Sequence, residues 1–205
     1  MLQQTFHNLL ARYNIDTATQ QALWNEIDKA YSHKKRHYHS LQHLANLLQQ
    51  LEEVKEKIQQ WDAVLFALYY HDMVYNTLRS DNEEKSALLA EERMRITGIP
   101  ADITAACTTM IRATAAHAQS TDADTNYFTD ADLAVLGQDW NTYTAYYQAI
   151  RKEYSIYPNL VYNPGRKKVL THFLQMERIY KTAEFFTKFE QQAKANMQQD
   201  LQLLS

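Results

Sequence analysis

The chain has 205 residues, of which 45% are hydrophobic and 22% charged, and its formal net charge is -3. This length suffices for one well-buried core and is too short for two ordinary domains joined by a long linker, so we expect a single domain. The slightly acidic balance gives no electrostatic reason to expect binding to a nucleic acid polymer. Cys107 is the only cysteine, so no intrachain disulfide can form.

Residues 1–7 lack the basic and apolar pattern of a signal peptide, and no stretch of about 18 apolar residues occurs. We therefore expect a cytoplasmic protein that does not bind membranes. Three glycines and three prolines leave few turn signals, which favours long helices. The prediction is an all-α bundle of about nine or ten helices, since no alternating strand pattern is present.

The first two helices are predicted near residues 2–13 and 17–31, with Asn14 closing the first and Asp16 or Thr17 capping the second. A helix over residues 40–59 follows, because leucines recur there at helical spacing.

Three histidines and an arginine lie at the start of that third helix, in the segment 36–43 (Arg-His-Tyr-His-Ser-Leu-Gln-His). His39 and His43 are four residues apart, so a helix places both rings on one face, within reach of one site. His37 would point elsewhere.

Residues 61–70 are almost entirely apolar and predict a helix buried on most sides. The run ends in His71 and Asp72, which is an unusual end for a core helix. An imidazole and a carboxylate together suit a divalent ion of borderline hardness, and such a pair needs further ligands from elsewhere in the chain.

The next helix is predicted to begin at residues 81–84 (Asp-Asn-Glu-Glu) and to end at residues 98–100 (Gly-Ile-Pro). Glu83 has two interpretations: it favours the dipole of this helix, or it acts on a nearby site through water or a ligand. A helix over residues 102–117 then ends in a histidine, His117, and a polar loop is expected over residues 119–127.

Two acids, Asp130 and Asp132, precede an apolar stripe, so one of them is expected to cap a helix while the other points inward. The Ala-Asp-Leu context favours Asp132 as a ligand and Asp130 as the cap. Asn163 and Pro164 predict an N-cap and a first helical residue. Residues 140–157 are rich in aromatic side chains, and the last helices are expected near residues 164–176 and 181–202.

The order His, then His-Asp, then Asp resembles the HD-domain metal-dependent phosphohydrolase superfamily. More narrowly, the chain is similar to a bacterial branch described as predicted HD phosphohydrolases, over about residues 30–200. The similar segments are residues 36–39, 70–75, 81–87, 130–133 and 150–154. The resemblance implies a single HD-like domain whose metal-site core spans about residues 30–140, with the C-terminal helices of residues 140–205 packed on it.

The resemblance also implies one divalent transition metal ion (Mn, Fe, Co, Ni or Zn), with a second, weaker Mg or Mn ion left open. The implied metal ligands are His43, His71, Asp72 and Asp132. The implied activity is hydrolysis, by a metal-activated water, of a phosphoester or phosphoanhydride of a small molecule, preferably a nucleotide. The alternative is a metal- and nucleotide-binding regulatory module with little turnover.

Further roles are carried over by position. The implied catalytic residues are Asp72, Glu83 and His39, since His39 matches the leaving-group acid of cyclic-nucleotide phosphodiesterases, although Ser40 replaces their usual asparagine. The implied substrate-binding residues are Arg36, His117, Arg151 and Arg166, because arginine side chains offer forked donors to phosphate. The expected partner is a small phosphorylated substrate, not a nucleic acid polymer or a membrane, and a homodimer is left open.

Overall fold

The computed structural model describes residues 1–204, and within them it contains ten α-helices, two short 3₁₀ helices and no strand. This confirms the all-α prediction and the predicted number of helices. The α-helices are α1 (Leu2–Ala11), α2 (Thr17–Tyr31), α3 (Leu41–Glu53), α4 (Trp61–Tyr70), α5 (Asn82–Ile96), α6 (Ala101–Ala113), α7 (Ala123–Asp132), α8 (Trp140–Glu153), α9 (Asn159–Gln175) and α10 (Ala183–Leu203). The 3₁₀ helices are Lys55–Lys57 and Leu133–Gly137. None of the helices in residues 1–204 is both long and apolar enough to span a membrane.

The chain divides into two compact units, Met1–Thr129 and a second that begins at Asp130. Helix α7 is continuous across this division, so its last three residues belong to the second unit. The expectation of a single HD-like domain stays a prediction.

The core of the first unit is built around α4, which is apolar on every face and buried from Ala63 to Tyr70. It packs against α1, α3, α5 and α6. The bounds of α4 match the predicted helix over residues 61–70. His71 is its C-cap residue, so the His-Asp pair lies directly at the end of the most buried helix of this unit.

Helix α3 ends at Glu53, whereas the helix was predicted to extend to residue 59. The prediction was wrong about this end: Val54 is the C-cap residue of α3, and residues 55–57 form only a short 3₁₀ helix. Helix α6 also ends before the predicted residue 117, at Ala113.

The polar loop predicted for residues 119–127 is helical from Ala123 onward, which corrects that prediction. Asp122 caps the start of this helix, because its carboxylate accepts hydrogen bonds from the Thr125 amide and hydroxyl, at 2.8 and 2.6 Å. Buried Asp124 then anchors α7 within the first unit by accepting the amide hydrogens of Gln59 and Gln60, at 2.9 and 2.7 Å.

In the second unit, α10 packs against α9 and the 3₁₀ helix Leu133–Gly137. Helix α9 begins at Asn159, so Pro164 lies inside it and is not its first residue as predicted. Pro164 cannot donate to the carbonyl of Leu160, one turn earlier. Because Leu160 is 90% exposed, water can hydrogen-bond to that region of the backbone, and the helix tolerates the proline.

Gly137 allows the close approach of α10, since a Cβ added there would lie 2.5 Å from Phe189 Cβ and 2.7 Å from its carbonyl oxygen. We predict that Gly137→Ala lowers the free energy of unfolding by about 1–3 kcal/mol, because a packed backbone must move. The matched control is Gly165→Ala inside α9, where an added Cβ meets no atom within 4 Å. The control should be stabilising by about 0.5–1 kcal/mol. Urea unfolding of both variants tests this, and equal effects would contradict it.

Candidate metal centre

Three predicted ligands are brought together within the first unit. His43 lies in the first turn of α3, and His71 and Asp72 follow α4. The two histidines are buried, with exposures of 4% and 2%, whereas Asp72 is partly exposed. The local sequence explains this placement, because the apolar residues of α3 and α4 pack together and carry the histidines inward with them.

The three ligand atoms form a small triangle. His43 Nε2 and His71 Nε2 are 3.1 Å apart, and Asp72 Oδ2 lies 3.1 Å from His71 Nε2 and 3.8 Å from His43 Nε2. A point equidistant from these three atoms lies about 2 Å from each, which is the bond length that divalent transition metals form with imidazole nitrogen and carboxylate oxygen. The spacing therefore fits one metal ion.

The orientation of the His71 ring also suits a ligand. Its Nδ1 lies 3.0 Å from the carbonyl oxygen of Leu68. A carbonyl only accepts hydrogen bonds, so Nδ1 carries a proton, and in the neutral form of the ring the lone pair then lies on Nε2. Nε2 faces His43 and Asp72. Metal-binding histidines commonly donate their other ring N–H to a backbone carbonyl in this way, which fixes the orientation of the ring.

The carboxyl group of Asp72 is held in its charged form. Burial alone would raise its pKa, but the neighbouring His71, His39 and His43 outweigh burial, and the pKa of Asp72 is lowered. The amide of Asp72 donates a hydrogen bond of 3.1 Å to the Tyr31 hydroxyl, which fixes the backbone beside the site. The site thus presents an ionised oxygen ligand next to two imidazoles.

Asp132 is the last residue of α7 and is partly exposed. Residues 123–129 of α7 belong to the first unit, where the ring of Phe128 packs against the ring of His71 with 5.8 Å between centroids. Asp132 lies one helical turn after Phe128. Asp132 belongs to the second unit, and its predicted role as a metal ligand stays a prediction.

Asp130 is fully buried and does not cap a following helix as predicted. Its carboxylate accepts hydrogen bonds from the amides of Lys181 and Thr182, at 2.9 and 2.8 Å, and from the Thr182 hydroxyl at 2.8 Å. These bonds tie α7 to the segment before α10, inside the second unit. Because the Asp130 carboxylate already accepts these hydrogen bonds, Asp132 is the better candidate for a metal ligand.

His39 and Arg36 flank the ligands. The ring of His39 lies 4.2 Å from that of Tyr75 and 5.9 Å from that of His43, between centroids. The Arg36 guanidinium donates to the carbonyls of His39 and Met73, at 3.3 and 3.0 Å, so it joins the two segments that carry the ligands. Arg36 also lies over the ring of Tyr75, at 5.4 Å from its centroid.

Two further candidates, Glu83 and His117, lie in the first unit. Glu83 is partly exposed in the first turn of α5, next to Glu84, which pairs with Arg112 at 2.7 Å. His117 lies in the turn after α6 with a φ of 49°. Their predicted roles in catalysis and substrate binding stay predictions.

The two candidate arginines of the second unit have partners within that unit. Arg151 donates to the carbonyls of Tyr154 and Tyr157, both at 3.0 Å, and to Asn159 Oδ1 at 2.8 Å. Buried Arg166 pairs with Asp200 at 2.7 Å. These contacts give both side chains structural roles, and their predicted substrate contacts stay predictions.

Sequence reasoning missed Tyr31, which contacts a ligand of the candidate site, and Lys181, which contacts Asp130. Tyr31 is an unremarkable helix-end tyrosine in the sequence, and only the fold shows that its hydroxyl meets the Asp72 amide. Lys181 lies far along the chain from Asp130, and no local pattern indicates their ion pair.

No family model matches the chain, and no curated protein or solved structure is significantly similar to it. The likeness to the HD superfamily therefore rests on the motifs quoted above.

Proposed function

We propose that the chain is a metal-dependent phosphohydrolase of the HD type, in which His43, His71, Asp72 and Asp132 hold one divalent transition metal ion. The observation that carries the proposal is the triangle of ligand atoms, with sides of 3.1, 3.1 and 3.8 Å. The hydrogen bond of His71 Nδ1 to the Leu68 carbonyl supports it, because it leaves Nε2 facing this triangle. Nitrogen and oxygen ligands together favour Mn, Fe, Co, Ni or Zn over Ca.

When bound, such an ion lowers the pKa of a coordinated water and offsets charge on a phosphoryl group. The residues around the ligands divide the remaining work. His39 lies beside the site with its ring held against Tyr75, and it donates a proton to the departing oxygen. Arg36 fixes the backbone of both ligand-bearing segments, so the ligands keep their spacing between turnovers.

The proposed substrate is a small phosphoester or phosphoanhydride, preferably a nucleotide, and the net charge of -3 provides no attraction for a long polyanion. Cleavage of a monoester and of an anhydride uses the same ligands, so the residues alone do not separate them.

The test combines elemental analysis of the purified protein with a product-release assay over nucleoside mono-, di- and triphosphates in Mn, Co and Ni. We expect about one transition metal ion per chain and release of phosphate from at least one nucleotide class. The proposed enzyme activity is contradicted if the purified protein holds no metal, or if it hydrolyses none of the phosphate compounds tested. Protein that keeps metal and nucleotide but releases no product indicates the regulatory module instead.

A further inference from the structure

The backbone amide of Asp72 is held by a side chain from another helix of the first unit. On either side of it, the amides of His71 and Met73 donate to carbonyls of α4, at 2.9 and 3.1 Å. The Asp72 amide instead donates to the hydroxyl of Tyr31, which lies 41 residues earlier, at 3.1 Å. An amide at the edge of a core needs an acceptor, and here α2 supplies it. The backbone of this candidate ligand therefore depends on a residue outside its own segment.

Tyr31 is suited to fix that amide. It is the last residue of α2, and its side chain is only 1% exposed, so little room is left for movement or for a water that could replace the hydroxyl. Because the peptide group is planar, holding the amide restricts where the side chain of Asp72 points. Asp72 Oδ2 lies 3.1 Å from His71 Nε2, and a functional group has to be held to within about 0.5 Å. A hydrogen bond to the backbone of Asp72 thus bears directly on the ligand triangle.

The ring of Tyr31 supports a second ligand-bearing segment. The Arg36 guanidinium lies over this ring, 4.8 Å from its centroid. Arg36 also donates to the carbonyls of His39 and Met73, at 3.3 and 3.0 Å. A guanidinium over an aromatic face is attracted to it, so the ring helps to hold Arg36 in its bridging position. One side chain of α2 therefore meets Asp72 through its hydroxyl and the Arg36 bridge through its ring.

We propose that Tyr31 is a positioning residue of the metal centre. Its hydroxyl fixes the backbone of Asp72 and thereby sets both the affinity for the ion and the geometry of the ligands around it. This inference rests on the proposed function and adds α2 to the centre, since Tyr31 lies outside every segment that resembles the HD superfamily. Tyr31 acts through Asp72 and is not itself a ligand.

The test compares Tyr31→Phe with wild type in two measurements. Calorimetry on metal-free protein measures Mn²⁺ affinity, and visible absorption is recorded on protein saturated with Co²⁺. The variant deletes one oxygen and keeps the ring beneath Arg36. We expect Mn²⁺ affinity to fall about tenfold, since loss of a contact that orients a metal ligand typically costs roughly 10–100-fold. The Co²⁺ bands should shift, because they report ligand geometry in the folded, loaded protein.

The matched control is Tyr69→Phe, in the same unit. Tyr69 is fully buried, and its hydroxyl donates to the carbonyl of Leu2 at 2.9 Å. This control also loses a buried tyrosine hydroxyl that bonds to the backbone, but it leaves the Asp72 amide with its partner. Its Mn²⁺ affinity should stay within about twofold of wild type, and its Co²⁺ bands should not move.

The inference is overturned if Tyr31→Phe keeps either the wild-type Mn²⁺ affinity or the wild-type Co²⁺ spectrum, or if Tyr69→Phe loses as much affinity. Wild type that binds neither ion removes the proposed function instead. If Tyr31→Phe does not fold, hydrogen exchange of the Asp72 amide in wild type replaces the variant. Because the ion and the hydrogen bond should stabilise the same backbone position, Zn²⁺ should slow this exchange, and an unchanged rate in Zn²⁺-loaded protein overturns the inference.

Discussion

His71→Ala should abolish metal binding and hydrolysis together. The variant removes the ligand atom that is nearest to both others, since His71 Nε2 lies 3.1 Å from His43 Nε2 and 3.1 Å from Asp72 Oδ2. Loss of an outer-shell partner typically costs 10–100-fold in metal affinity, and loss of a direct ligand should exceed about 100-fold. Elemental analysis should find less than about a tenth of the wild-type metal per chain.

The control for this result is His172→Ala. His172 is exposed on α9, so its removal should change neither metal content nor turnover. Thermal unfolding with and without added Mn²⁺ gives a second measure, because a ligand that binds only the folded state raises its stability. Wild type should be stabilised by the ion and His71→Ala should not. If His71→Ala retains as much metal per chain as the wild type, the proposed metal centre is wrong.

The first part of the candidate site was predictable because its ligands are local to strong helical patterns. Residues 61–70 are apolar enough to specify a buried helix, and the bounds of α4 agree with that prediction. A polar pair at the end of such a helix must lie at the edge of the core. His43 was placed by the leucine spacing of α3, whose buried face carries the histidine inward.

The local sequence favoured Asp132 over Asp130 as the ligand, but it did not indicate the contacts that Asp130 makes. Both acids precede an apolar stripe, and either could end a helix or point inward. The difference arises from Lys181 and Thr182, about fifty residues later, whose amides occupy Asp130. Sequence periodicity carries no information on such a distant contact, whereas the N-cap of α7 at Asp122 is a local feature.

The same limit applies to Arg166, for which the resemblance implied a substrate contact. The structure places its guanidinium in a buried cluster with Asp200, Tyr143 and Tyr146. Asp200 is near the end of the chain and carries no motif, so the sequence alone did not indicate this partner. The cluster leads to a stability prediction that a purely substrate-binding arginine would not support.

Arg166→Met should destabilise the protein by about 3–5 kcal/mol, because it leaves the Asp200 charge buried without its partner. The side chains of Arg166 and Asp200 are only 7% and 3% exposed, and the ion pair spans 2.7 Å. The Tyr143 hydroxyl also donates to Asp200 Oδ2, at 2.8 Å, but a neutral donor cannot replace the lost positive charge. Urea unfolding measures the change in free energy.

The double variant Arg166→Met with Asp200→Leu separates a stranded charge from lost packing. If the cost of Arg166→Met comes from the unpaired carboxylate, removing that carboxylate should recover most of the stability, since apolar replacement of a buried ion pair is often close to neutral. A double variant as unstable as the single one would mean that packing of the guanidinium against Tyr146 dominates. If Arg166→Met instead has wild-type stability but binds phosphate more weakly, Arg166 has no structural role and the predicted substrate contact is supported.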